Sequence, residues 1–160
     1  MKLKLLFIIL LLLSSLNCDD KIYLFPNESK KAIKDIELLI KESKTQIDVA
    51  MYNFSKKSLA KLLIKAHENG VLINVFFDSK KIKDKSSEYK LLKKNGINCY
   101  IIDDAKLHTK LAIFDKKTAL FGSLNWTKDS FSENYEILYI TSKKDVLSKL
   151  NRFIKNLKDK

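Results

Sequence analysis

The chain has 160 residues, 46% of them hydrophobic, with three glycines and one proline, which suits one compact domain with its own core and excludes a disordered or collagen-like chain. Its formal charge is +12, and nearly all of the excess is lysine because Arg152 is the only arginine. Lysine supplies mobile point charges rather than bidentate forks, which fits a polyanion read without sequence preference, either nucleic acid or an anionic membrane surface.

At the N-terminus, Lys2 and Lys4 precede an unbroken apolar run at 5–13, followed by Ser14, Ser15, Leu16, Asn17 and Cys18. A basic start, an apolar centre and small residues read as a secretory signal over residues 1–18, short for a span of about 20 residues. Two further readings stand beside cleavage: a lipoprotein acylated at Cys18, with Leu16 one position late for the usual pattern, and a short uncleaved membrane anchor. All three export the remaining domain, residues 19–160, to the periplasm or the outer side of the inner membrane. Cys18 sits at the edge of the leader, so a bridge to Cys99 is not expected. Without a C-x-x-C or a His/Cys cluster there is no zinc signature, and Cys99 reads as a buried small hydrophobe.

Beyond the leader, residues 21–25 alternate as a first strand. Pro26 and Asn27 open a helix with Asn27 as its N-cap, and Ala32, Ile33, Ile36, Leu39 and Ile40 form its apolar face. Residues 45–53 are rich in β-formers and read as a central strand. Ser55 is expected to cap a second helix carrying Leu59, Leu62, Leu63 and Ala66. His67 lies in its last turn before Gly70, where a basic side chain suits a surface or capping role. A third strand at 71–77, a lysine-rich connection at 80–85 and a helix to 94, stopped by Asn95-Gly96, lead to a fourth strand at 97–102. Residues 107–115 and 118–121 pair as a hairpin across Lys116-Lys117. A strand at 134–141 and a helix from 143, with Val146, Leu147, Leu150, Ile154 and Leu157 on one face, complete the chain. Strands alternating with helices, then a hairpin, predict an α/β fold: an α/β/α sandwich with a central mixed β-sheet, with no repeat and no second domain.

The most informative spacing is His108-x-Lys110-x4-Asp115-x6-Gly122-Ser123-x-Asn125. Alternation along a strand puts His108 and Lys110 on one face. A nucleophilic imidazole beside a fixed positive charge is what attack on a phosphate needs. Alone, a His-x-Lys pair is as well explained by a solvated strand face, and Gly122-Ser123 by an ordinary turn. Their linkage over eighteen positions is what separates the readings. Asp115 follows His108 by seven residues, an odd offset that turns it to the other face, so its role reads as structural or orienting. Asn134-Tyr135-Glu136 adds a carboxylate further on, and Trp126 reads as a packing anchor.

This pattern resembles the signature of the phospholipase D superfamily, H-x-K-x4-D-x6-G-S-x-N. Within it the chain is most similar to small bacterial endonucleases with one such motif per polypeptide. The resemblance runs over residues 21–160 and includes Gln46-Ile47-Asp48-Val49-Ala50-Met51-Tyr52-Asn53-Phe54 and Ala66-His67-Glu68-Asn69-Gly70-Val71. It implies that His108 attacks a phosphodiester and becomes a phosphohistidine. Lys110 would bind a non-bridging oxygen, Ser123 and Asn125 would contact the phosphate, and Glu136 would hydrogen-bond the second imidazole nitrogen and fix its tautomer. No metal and no other cofactor is implied. Such a site needs two histidines, one to attack and one to protonate the leaving oxygen, so one motif per chain implies a homodimer with the motifs meeting at its twofold axis. The leading expectation is an endonuclease of low specificity cleaving DNA or RNA. Two alternatives stay open: a phospholipase D acting on anionic lipid such as cardiolipin, and a catalytically silent nucleic-acid-binding module. An apolar entrance groove would favour lipid, and a lysine-lined one nucleic acid.

Overall fold

The structure, a computed structural model, describes residues 20–160, so the leader and Cys18 lie outside it. In chain order the elements are β1 (Lys21–Leu24), α1 (Ser29–Glu42), β2 (Gln46–Met51), α2 (Lys57–Glu68), β3 (Leu72–Asp78), α3 (Tyr89–Lys94), β4 (Asn98–Ile102), β5 (Lys110–Phe114), β6 (Thr118–Gly122), α4 (Lys128–Ser132), β7 (Ile137–Thr141) and α5 (Lys144–Lys158). The strands form one sheet in the order β1-β7-β6-β5-β2-β3-β4. β2, β3 and β4 run parallel, joined through α2 and α3, while the remaining pairings are antiparallel. The α/β architecture with a mixed sheet is the predicted one.

Alternation divides the side chains between two cores. Ile47, Val49 and Met51 of β2 pack with Ala32, Ile36 and Ile40 of α1 and with Leu59 and Leu63 of α2. Ala50 and its neighbour across the register, Phe76, turn to the other face and meet Leu147, Ile154 and Leu157 of α5. The two faces are unequally covered. One carries α1, α2 and parts of α3 and α4, and the other carries α5. Because Tyr23, Leu120, Leu138 and Ile140 belong to the first core, their strand neighbours Ile22, Leu24, Phe121, Ile137 and Tyr139 point to the α5 side. There Ile22, Leu24 and Ile137 are 61%, 54% and 55% exposed, an apolar surface running across β1, β7 and β6.

Several boundaries differ from the sequence reading for local reasons. Asn27 and Ser55 do not cap α1 and α2, which start later and have no side-chain cap. Instead the Glu28 carboxylate accepts from the Leu24 N–H at 2.9 Å, closing the turn before α1. Among the described residues, the one side-chain cap is at α4, where the Thr127 hydroxyl accepts from the Ser130 N–H. At five residues that helix is too short for a periodic signal. The predicted strands at 107–115 and 134–141 are shorter, beginning at Lys110 and Ile137. Cys99 is partly rather than fully buried, and burial pushes its thiol up to about 11.

A buried polar row crosses the second face. Gln46 and Asn74 donate to the Asp48 carboxylate, Gln46 to its oxygens at 2.9 and 2.7 Å and Asn74 at 2.8 Å, and Asn98 donates to Asn74 at 3.1 Å. Asp48 and Asn74 are 2% and 1% exposed, so these bonds replace the water each group lost on burial.

Candidate active site

The parallel strands β2 and β3 end at one edge of the sheet, and the antiparallel pairing brings the start of β5, the end of β6 and the start of β7 to that same edge. Carboxyl ends of strands are where open α/β sheets place their sites. His108 does not lie on β5 itself. Its N–H bonds to the Lys106 carbonyl at 2.9 Å, a tight turn just before the strand. The expected proximity to Lys110 nevertheless holds, with Lys110 Nζ 3.2 Å from His108 Nε2 and donating to the His108 carbonyl at 2.9 Å.

Two contacts fix this turn. The buried Asp78 carboxylate, at the end of β3, accepts from the Leu107 N–H at 3.1 Å and the Lys80 N–H at 3.0 Å. The Tyr52 N–H, just past β2, donates to the Thr109 carbonyl at 2.9 Å. The Tyr52 ring then packs on the imidazole, with centroids 4.6 Å apart. Tyr52, Asp78 and Lys106 were not singled out as site residues from sequence. They come from three separated segments, and only the strand order unites them.

The electrostatics favour a neutral imidazole. The Lys110 charge, then burial, then Lys106 hold His108 below the ordinary histidine value, with Asp78 opposing. Lys110 itself is only 8% exposed. Burial lowers its ammonium first, Glu136 opposes and Lys106 adds to the lowering.

Ser123 and Glu136 sit together. The Ser123 hydroxyl makes a short hydrogen bond to Glu136 Oε2 and accepts from the Ile137 N–H at 3.1 Å, while Asn134 donates to Glu136 Oε1 at 3.3 Å. The expected Glu136–imidazole bond is not formed among the described residues; the carboxylate bonds Ser123 and Asn134 instead. Asn125 Oδ1 accepts from the Asn53 N–H at 3.3 Å, docking the G-S-x-N segment against the residue beside Tyr52. Trp126 is fully buried and packs edge-on against Phe54, centroids 5.0 Å apart, so it anchors this segment and presents no face for stacking.

Gly122 is required by close approach: a Cβ there would stand 2.0 Å from the Ile137 carbonyl oxygen. Asp115 lies at the far end of β5, roughly 17 Å from Lys110 at strand rise. Its carboxylate accepts from the backbone N–H groups of Lys44, Thr45 and Gln46 and from the Thr45 hydroxyl. Burial alone would raise its pKa, but those donors outweigh it and the carboxyl falls below its usual range. Asp115 thus ties the end of β5 to the connection between α1 and β2. His67 is remote as well, at the end of α2, with Nδ1 3.4 Å from the Val71 carbonyl.

His108, Lys110 and Gly122 line an open cleft of about 360 Å³ whose other walls include Phe121, Leu150 and Phe153. The cleft thus has both characters weighed from sequence, an apolar wall from β6 and α5 and a cationic group from Lys110.

A family model described as "Cardiolipin synthase, PLD-like domain" matches residues 36–158. The chain belongs to that family, and the resemblance to the phospholipase D superfamily is borne out. Among curated relatives, the mitochondrial cardiolipin hydrolase of Homo sapiens is 32% identical over 100 residues, 62% of this chain and 40% of the relative. The chain therefore spans less than half the length of that relative. Among solved structures, NucT from Helicobacter pylori matches with a TM-score of 0.80 at 21% identity, covering 88% of this chain and 96% of that one. A phospholipase D family member, Nuc from Salmonella typhimurium, matches with a TM-score of 0.79 at 20% identity, covering 88% and 94%. At such identities these structures speak for the fold.

Proposed function

We propose that the chain is a metal-independent phosphodiesterase, an endonuclease of low sequence specificity that works as a homodimer outside the cytoplasm. The observation carrying the chemistry is the imidazole of His108 held neutral within 3.2 Å of the Lys110 ammonium. A ring nitrogen of His108 attacks phosphorus, and the bond to the leaving oxygen breaks. That oxygen takes a proton from the imidazolium of the second copy's motif. Water then attacks the phosphohistidine, gives its proton to the now neutral second imidazole, and releases a phosphomonoester and free His108. Lys110 bonds a non-bridging oxygen as charge builds, and Ser123 and Asn125 supply further polar contacts.

The second copy has a surface to use. Ile22, Leu24 and Ile137 leave apolar area exposed on the α5 side, and burying such area favours association. A twofold contact there would bring two clefts together and sandwich the α5 helices between two sheets. Export follows from the basic and apolar leader at residues 1–18, with Cys18 a site of lipidation if that leader is a lipoprotein signal.

The apolar wall of Phe121, Leu150 and Phe153 favours a second reading, cleavage of an anionic phospholipid such as cardiolipin. Incubating the purified chain in chelator with single-stranded DNA, duplex DNA, RNA and cardiolipin vesicles separates the two. Nucleic-acid cleavage that survives chelation is expected, whereas cleavage of lipid alone would replace the nuclease reading.

A further inference from the structure

Three ammonium groups from two segments converge on the Tyr52 ring. Lys106 Nζ is 4.8 Å from its centroid, Lys110 Nζ 5.1 Å and Lys81 Nζ 5.4 Å. Lys110 belongs to the reacting centre, Lys106 acts on that centre only through its charge, and Lys81 has no part in the chemistry above. Lys106 leads into the turn that carries His108, and Lys81 lies in the 3-10 turn Lys81–Lys83 after β3. Gathering like charges is unfavourable unless something negative is shared among them. The local carboxylates answer only part of this charge: Asp84, and after it Asp78, favour the charged form of Lys81. Asp78 is occupied by two backbone N–H groups, and Asp84 holds Lys81 in a partly exposed pair at 2.9 Å. Among the described residues no carboxylate forms an ion pair with Lys106.

We infer that Tyr52, Lys81 and Lys106 form a second anion subsite that takes the phosphate next to the scissile one on a polynucleotide strand. This rests on the nuclease reading and deepens it. The Tyr52 ring is 4.6 Å from the imidazole, so an ammonium within about 5 Å of that ring lies within reach of a group adjoining the attacked phosphorus. A flexible ammonium holds a phosphate without reading the base beside it, and the ring gives the cations a polarisable floor. A substrate with repeated phosphates engages both subsites at once, while an isolated diester engages one.

Binding and cleavage test this separately. Binding of a fluorescein-labelled oligothymidylate to the full chain carrying His108→Ala is followed by anisotropy from 50 to 200 mM salt. Adding Lys81→Ala and Lys106→Ala should weaken binding at least tenfold at low salt. It should also flatten the salt slope by roughly 0.7, the value for one phosphate contact on a single strand. Lys41→Ala with Lys65→Ala, an equal charge loss at the remote cleft between the ends of α1 and α2, should do much less. An equal effect from that control pair would mean a diffuse field and overturn the subsite. In the chain with His108 intact, Lys81→Ala with Lys106→Ala should cut kcat/KM for the oligonucleotide at least tenfold more than for bis(p-nitrophenyl) phosphate, and Lys106→Arg should keep most of the oligonucleotide activity. Parallel loss on both substrates would place the lysines in the chemistry and overturn the proposal. Lysine-dependent binding without cleavage would sink the nuclease reading and keep the subsite. Cleavage indifferent to both lysines would do the reverse.

Discussion

His108 is surrounded by charge of its own sign, and that sets its working pH. Lys110, burial and Lys106 all lower its pKa while Asp78 opposes, so the neutral nucleophile persists at pH values below the ordinary histidine value of about 6.5. The acid limb of kcat/KM should therefore fall below pH 6.5, accompanied by a basic limb where the second copy's His108 loses the proton the leaving oxygen needs. Lys106→Gln removes one lowering charge and should move the limb upward; a profile that stays in place would remove Lys106 from the electrostatics of the imidazole. The residues gathered at the candidate site divide by how far apart they lie in the chain. His108, Lys110, Ser123 and Asn125 were legible because they share a short, fixed spacing. Tyr52, Lys81, Asp78 and Lys106 were not, since nothing local links the ends of β2 and β3 to the turn before β5. Glu136 was found by its place after the motif, but its bond to Ser123 depends on how β6 meets β7, which spacing does not encode.

At the scale of elements, the far end of β5 is held by Asp115. Its carboxylate gathers three backbone N–H groups from the α1–β2 connection, and Asp115 and Lys116 take φ values of 50° and 58° in the turn to β6. Asp115→Asn should cost about 1.5–3 kcal/mol in urea denaturation at neutral pH, the range for hydrogen bonds to a charged group. Because the folded carboxyl titrates below its usual range, this stability is complete above the unfolded value near 3.9 and is lost as pH falls through the lower folded value. Wild type and variant should therefore converge in acid, and a gap unchanged at low pH would point to a cause other than the charge. Gly122→Ala forces a methyl group against the Ile137 carbonyl, so β6 and β7 must separate there. Loss of activity together with a drop in melting temperature is expected, and a variant with unaltered melting would show that the backbone can yield. Elements with strong periodicity, such as α1, α2 and α5, were readable from sequence. The helix starts were not: Asn27 and Ser55 have capping chemistry, but the turn closed by Glu28 and the docking of 53–56 on Trp126 push both helices further along.

For the whole molecule, the proposed dimer makes each chain's activity depend on another. After subunit exchange with a tenfold excess of His108→Ala chains, activity per wild-type chain should fall about tenfold, because nearly every wild-type motif would face an inert partner. Activity indifferent to the excess would mean self-sufficient chains. Ile137→Asp places a charge in the exposed apolar surface of β7 and should yield monomers by sedimentation with little activity; a fully active monomer would end the composite-site proposal. The uneven covering of the two sheet faces, on which this rests, could not be read from strand patterns alone, since alternation marks two faces without saying which helices lie on each.

The fastening of Asp20 beside the first strand has a consequence for orientation. Asp20 is tied to Thr141 at 2.6 Å and to Lys143 at 2.5 Å, and Lys21 pairs with Ile140. The chain therefore enters at the Asp115 end of the sheet, a strand's length from the mouth that holds His108. Were residues 1–18 to tether the protein to a bilayer, the clamp at Asp20 would turn the catalytic edge outward, away from the lipid that holds it. Such a geometry serves a substrate arriving from solution. A vesicle-tethered chain should then digest a free oligonucleotide as fast as an untethered one while leaving the cardiolipin beneath it intact.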